Sequence, residues 1–169
     1  MEATDLQREL ELLHAASFGW ALSCCRQRKD DAEEVLQTAY IKVLDGRAKF
    51  EGRSSFQTWF FGVIRRTASE QRRRRWLRET LLTRWFAAQP LGWRGPAEPP
   101  QAGPDNDLLR SALSRLPERQ QQVLHLVYYQ DLTLEEAAGA MGVSLGTART
   151  HFDRGKRRLR QLLVPQEVR

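Results

Sequence analysis

Cysteine is almost absent from this chain: Cys24 and Cys25 are the only two, and they are neighbours. Adjacent thiols build no disulfide framework, and no C-x-x-C spacing exists to hold zinc. The pair reads either as part of the first helix, one inward and one at its margin, or as a redox sensor. Histidine is scarce as well. His14, His125 and His151 fall in three different helical patterns, so neither a metal site nor a cofactor is expected. Paired carboxylates, a nucleophile beside a base and a glycine-rich phosphate loop are all missing, so no catalytic residues are assigned and an enzyme is not expected. No run approaches the ~20 apolar residues of a membrane span. The first residues also lack a positive segment followed by an apolar one. A cytoplasmic protein without membrane insertion is expected.

Proline is confined in a telling way. Five of the seven lie between Pro90 and Pro104, which leaves the rest of the chain free to be helical. Charge is plentiful but uneven. Lys and Arg total 27 against 21 Asp and Glu, for a net charge of +6 and a pI of about 9.9. Arg far outnumbers Lys, and its planar fork suits phosphates and guanine edges, so the balance points to a polyanionic partner.

Along the first half, Leu6, Leu10, Leu13, Ser17, Trp20 and Cys24 recur in steps of three and four and predict one amphipathic helix. Asp30 and Asp31 begin a second helix, with Ala32, Val35, Leu36, Ala39, Tyr40, Val43 and Leu44 as its buried face. Its acidic first turn serves either as capping or as a docking surface. Residues 45–53 break the pattern. They interleave Arg47, Lys49 and Arg53 with Phe50, a mixture that suits single-stranded nucleic acid and equally suits a plain surface loop. Ser54 and Gln57 have capping-box spacing and open a helix with Phe56, Trp59, Phe60, Val63 and Ile64 on its core side. Phe61 falls off that stripe and is expected to be exposed. Arg65, Arg66 and Arg72–Arg75 follow. Like charges at helical spacing repel, so the run favours nucleic-acid contact over a merely solvated face.

Residues 89–105 are rich in Pro and Gly and read as a partly stiff tether. Trp93 within it docks either on one domain or on a partner. Beyond the tether, Leu108, Ala112, Leu113 and Leu116 predict one helix, and Pro117 opens the next, where Val123, Leu124, Val127 and Tyr128 form the inner face. Thr133 and Glu136 then form a second capping-box pair, Ala137, Ala138 and Met141 give a small-residue face, and Gly142 ends the helix. Ser144 caps a further helix with Ala148, Phe152, Leu159 and Leu162 inward. Its outward side is polar and basic, which suits entry into a DNA major groove. The resulting fold class is all-α: two small helical domains joined by a Pro/Gly-rich linker, the C-terminal one a four-helix domain with a helix-turn-helix. The boundaries are residues 1–80, 81–105 and 106–165.

Two stretches resemble one known family. Asp31-Ala-Glu-Glu-Val-Leu-Gln37, residues 50–59 and Arg65 to Arg75 are similar to region 2 of bacterial extracytoplasmic-function (ECF) sigma factors, of the sigma-70 family. Leu116-Pro117-Glu118-Arg119-Gln120, Val123-Leu124 and residues 132–163 are similar to region 4. The resemblance implies a promoter-specificity subunit of RNA polymerase. Asp31, Glu34, Gln37 and Thr38 would meet the core enzyme, although the family commonly carries an acid where Thr38 stands. Lys49, Arg53, Ser55 and Trp59 would hold the melted −10 strand, unless Trp59 is core. Arg65, Arg66, Arg72, Arg73, Arg74 and Arg75 would track the duplex backbone. Ser144, Thr147, Arg149, Thr150, Arg154 and Arg157 would read the −35 element. Core polymerase and promoter DNA are the implied partners, an anti-sigma factor is a further one the family allows, and the nucleoid is the implied location in holoenzyme. An operator-binding dimer is the rival reading of residues 133–163, but it leaves the first half unused. A nucleic-acid enzyme is the other rival and lacks a catalytic constellation.

Overall fold

A computed structural model describes residues 3–85 and 104–163, and the regular elements among them are all α-helices. The first half holds α1 (Ala3–Leu12), α2 (His14–Cys24), α3 (Lys29–Leu44) and α4 (Phe56–Trp85). The second holds α5 (Pro104–Ser114), α6 (Glu118–Tyr128), α7 (Leu134–Met141) and α8 (Leu145–Leu163). Most of the Pro-rich tether, with Trp93, lies outside the described residues.

The expected single first helix is two, divided at Leu13. The division lets α2 sink into the core, burying Ser17, Trp20, Ala21, Ser23 and Cys24, while α1 buries only Leu10 among its described side chains. Cys24 and Cys25 are both buried. Burial drives the Cys24 thiol well up and the Cys25 thiol to about 11, which keeps both as unreactive thiols near neutral pH. Arg26 and Gln27 adopt left-handed φ values of 54° and 62° in the turn that follows. A bond from the Gln27 amide to the Leu22 carbonyl (2.9 Å) closes that turn.

Further expectations change. Phe61 is fully buried, not exposed. Its ring stacks on Trp20 at 6.0 Å, and the Trp20 indole N–H donates to the Phe61 carbonyl (2.9 Å). A stripe rule assumes one buried face, whereas α4 is covered by α2 and α3 on one side and by α7 on another. Leu44 is 62% exposed because α3 runs out toward solvent in its last turn, and Tyr128 is 59% exposed, its ring lying on Phe152. In α6 the buried set is Gln122, Val123, Leu124 and Leu126, since α2 and α8 both press on that helix. At the start of α4 the cap is Ser55 rather than Ser54: the Thr58 amide donates to Ser55 Oγ (3.2 Å). The second box forms as expected. The Glu136 amide donates to Thr133 Oγ1 (3.2 Å), the Thr133 amide donates to Glu136 Oε2 (2.9 Å), and Gly142 closes α7 at φ 63°.

The halves do not stand apart. One contiguous core runs from Trp20, Phe60 and Ile64 to Leu126, Ala137 and Met141. Across the join, Trp20 stacks on His125 at 5.8 Å, Gln130 Nε2 donates to the Ala16 carbonyl (3.3 Å), and Arg72 pairs with Glu118 (3.0 Å).

His125 is held down to about 4 by burial, against an unfolded value of about 6.5. The unfolded chain takes up the proton first, so stability is fully present above about pH 6.5 and is lost as pH falls toward about 4. Urea unfolding between about pH 7 and about pH 5 should show this loss, and His125→Gln should flatten it; parallel pH profiles for the two proteins would contradict the assignment. A second test concerns the α6–α8 crossing, where a Cβ on Gly155 would stand 3.2 Å from both Gln120 Cβ and Leu124 Cδ1. Gly155→Leu should cost about 1–3 kcal/mol by overpacking, and an unchanged denaturation midpoint would show that the crossing is loose.

Candidate nucleic-acid interface

Residues 45–55 leave α3 and return to α4 through two glycines that take positive φ, Gly46 (76°) and Gly52 (73°). The Ala48 amide reaches back to the Lys42 carbonyl (2.7 Å), which folds the loop over the end of α3. Beneath it opens a recess of about 580 Å³ lined by residues including Lys42, Lys49, Trp59, Arg66, Thr67 and Glu70. Such a volume falls within the ~300–1,000 Å³ of small-ligand clefts. Trp59 is half-buried and fixed in a cluster, with Phe50 and Phe56 each 5.3 Å away between ring centres. It therefore packs on the core and also walls the recess. Lys42 Nζ donates to Thr67 Oγ1 (3.1 Å) and Glu70 Oε2 (2.6 Å), so the polar floor is pre-arranged.

Of the four residues expected to hold a single strand, Lys49 and Trp59 line this recess. Ser55 is exposed but spends its hydroxyl on the α4 cap, and Arg53 lies outside, paired with Glu51 (2.9 Å). Lys42, Thr67 and Glu70 were not expected. Their sequence signal is weak, because a Lys on α3 meets a Thr and a Glu on α4 only through tertiary packing.

The arginines of α4 divide into three groups. Arg73 and Arg74 are exposed, and Arg66 is exposed at the recess. Arg72 and Arg75 are held by carboxylates: Arg72 by Glu118, and Arg75 through both of its terminal nitrogens by Asp31, which also pairs with Arg28 (2.5 Å). The Arg75 hydrogen bond, more than any other influence, holds the Asp31 carboxyl below its ordinary range. Arg65 is half-buried next to the helix-turn-helix corner, where a Cβ on Gly142 would meet its Nη1 at 3.3 Å. Burial first and the neighbouring Arg119 second lower the Arg65 pKa. Among the residues expected to meet core polymerase, Glu34 and Gln37 are exposed on α3, whereas Asp31 is engaged as above and Thr38 accepts from Gln71 Nε2 (3.3 Å).

On α8 all six expected readers are exposed. Ser144 caps the helix by accepting from the Thr147 amide (3.2 Å), and Thr150 Oγ1 donates to the Gly146 carbonyl (2.9 Å). Thr147, Thr150, Arg154 and Arg157 recur in three- and four-residue steps and share one stripe opposite Ala148 and Gly155, which are buried. Arg149 stands on the adjacent exposed flank. Lys156 lies over the Phe152 ring at 5.0 Å, which fixes that cation on the helix. A helix with its N-terminal residues exposed and its opposite side locked on α6 can enter a major groove as a rigid probe.

Comparison with known proteins accords with this geometry. Residues 10–78 match the family model for sigma-70 region 2, and residues 112–161 match that for sigma-70 region 4. The ECF RNA polymerase sigma factor RpoE of Cereibacter sphaeroides is 31% identical over 144 residues, covering 82% of this chain and 74% of that one. RNA polymerase sigma factor HrpL of Pseudomonas syringae pv. syringae is 28% identical over 140 residues, covering 80% and 75%. At the level of fold, the chain is similar to sigma factor RpoE in its complex with the anti-sigma factor NepR from Bartonella quintana. The TM-score there is 0.74 at 24% identity, over 96% of this chain and 99% of that one. CnrH, solved with the cytosolic domain of CnrY, gives a TM-score of 0.62 at 18% identity, over 95% and 91%. With both regions present in their order and a relative above 30% identity across most of its length, the chain belongs to the sigma-70 family of RNA polymerase sigma factors, in its ECF group.

Proposed function

We propose that this promoter-recognising sigma factor divides its work between two grips. Residues 1–80 carry the core-polymerase and −10 functions, residues 106–165 carry −35 recognition, and residues 81–105 join them. The observation that carries this reading is the combination, on one chain, of a cationic recess walled by Trp59 and a rigid helix-turn-helix with an exposed basic probe.

Melting a duplex costs about 1–2 kcal/mol per base-pair step in lost stacking. An extruded base seated against Trp59, with Lys49 and Arg66 near its phosphate, recovers part of that cost only where the base fits. Lys42, Thr67 and Glu70 present both donors and acceptors to such a base. Arg73 and Arg74 supply sequence-independent attraction to phosphates. On α8, Ser144, Thr147, Arg149, Thr150, Arg154 and Arg157 read the upstream element. Of the four α3 side chains expected to meet core polymerase, Glu34 and Gln37 are left open for it. The chain does no bond chemistry in this scheme; the polymerase supplies the catalytic site, and the work takes place in the cytoplasm. RpoE of Bartonella quintana was captured with an anti-sigma factor, and an anti-sigma factor is a further partner in this reading.

Adding the protein to core polymerase should enable initiation at a restricted promoter set, scored by mapping transcript starts. If it neither binds core enzyme nor redirects initiation, the reading fails. Within that assay Arg149→Ala should lower discrimination at one upstream base pair by about 1–3 kcal/mol. Arg73→Ala should instead weaken all promoters alike and reduce the salt dependence of binding. Identical behaviour of the two variants would remove the division between reading and phosphate contact. Trp59→Ala should leave duplex binding intact while strand opening, followed by permanganate reactivity, falls; unimpaired opening would exclude Trp59 as the wall against which a base stacks.

A further inference from the structure

Arg65 is a cation whose surroundings work against it. It is half-buried beneath the helix-turn-helix corner, where a Cβ on Gly142 would meet its Nη1 at 3.3 Å. A guanidinium carries only N–H donors, and each needs an acceptor once water is taken away. Among the described residues, no hydrogen bond or ion pair reaches the Arg65 guanidinium. Glu118, the acid beside it, is committed elsewhere. Its Oε1 accepts from Arg72 (3.0 Å) and from Gln122 Nε2 (3.1 Å), and its Oε2 faces Arg26 (3.8 Å). Arg119, the like charge that opposes Arg65, reaches only Gln122 Oε1 at 3.5 Å, beyond the usual length of such a bond. Arg26, Arg65 and Arg72 thus share one carboxylate, and Arg119 adds a further positive charge.

We propose that Arg65 and Arg119 form a binding site for a small phosphate dianion, such as pyrophosphate or the terminal phosphate of a nucleotide. A tetrahedral dianion offers several strong acceptors to planar forks arriving from different helices, and phosphate is the anion such forks hold best. The position favours a free anion over a duplex. Arg73 and Arg74 stand exposed further along α4, where a double helix can lie against them, whereas Arg65 is covered on one side by the corner at Gly142. Bound there, the anion supplies the acceptors that Arg65 lacks and offsets its repulsion with Arg119. It also occupies a guanidinium that the duplex backbone would otherwise use, so the two sources of phosphate compete for one side chain.

The test titrates the intact chain with inorganic pyrophosphate in chloride buffer without divalent metal, followed by calorimetry and by thermal unfolding. Pyrophosphate should bind saturably at one site per chain and raise the unfolding temperature. Arg65→Gln and Arg119→Gln should each weaken that binding by about tenfold or more. Arg8→Gln, which removes an exposed charge on α1, should leave it unchanged. Without pyrophosphate, Arg65→Gln should unfold no earlier than the parent, because the exchange removes a repelled charge. Equal weakening by Arg8→Gln would show general screening of a basic chain and overturn the site. An Arg65→Gln protein that unfolds early yet binds pyrophosphate as the parent does would make Arg65 a structural pin, and would overturn it too. A further arm offers a short duplex of unrelated sequence. Duplex binding that depends on Arg65, with no pyrophosphate binding in the same buffer, would assign the guanidinium to the DNA backbone and overturn the proposal.

Discussion

The crossing of α4 and α7 depends on small side chains. Gly62 on α4 is buried with the Ala140 carbonyl 3.9 Å from where its Cβ would be, and Gly139 on α7 stands against Thr58. Ala137 and Ala140 complete the face. Small residues let two backbones approach until the larger groups on either side, Phe60, Ile64 and Met141, share one core. Close packing of that kind is worth more than any polar contact at the join, because each buried aliphatic or aromatic side chain contributes about 1.5–3 kcal/mol. An exposed ion pair contributes at most about 1 kcal/mol. Apolar packing therefore sets the strength of the join, while the pairs of Glu118 with Arg72 and Arg26 are open to screening by salt.

The arginines of α4 illustrate how a charge run acquires separate duties from its surroundings. At helical spacing they repel one another, and the fold relieves this by offering carboxylates to two of them. Asp31 receives both terminal nitrogens of the Arg75 guanidinium end-on while also pairing with Arg28, a geometry that fixes the start of α3 against α4. Asp31 is thus first a structural residue. Among the described residues no carboxylate pairs with Arg73 or Arg74, and both stay exposed. Removing a charge from the first group leaves Asp31 or Glu118 without its partner, whereas removing one from the second breaks no ion pair of that kind.

Local signals carried much of this architecture into the sequence. The Thr133–Glu136 box, the left-handed Gly142 and the basic face of α8 are all decisions made within a few residues, and all three hold in the fold. Other features depend on residues far apart in the chain and left no periodic trace. Phe61 is buried because α2 arrives with Trp20. Lys42, Thr67 and Glu70 become one recess floor because α3 lies along α4. Leu126 and Gln122 are inside because α6 is pressed from two directions. The association of the halves was likewise invisible, since Ala137 and Met141 announce that something crosses α7 but not what. The helix-turn-helix, legible from composition and caps alone, packs its first helix on α4.

The two proposed grips lie together in the free chain, and each must reach its own element on a promoter. Spin labels at Glu51, on the recess loop, and Asp153, on α8, would report both states, since both positions are exposed and the native thiols are not. Pulsed electron resonance on the free protein should give a single distance short enough for the closed packing. In the promoter-bound holoenzyme the distance should lengthen toward the about 85 Å that separates the elements along the duplex. A long distance in the free protein, or a short one unchanged in the promoter complex, would contradict this arrangement.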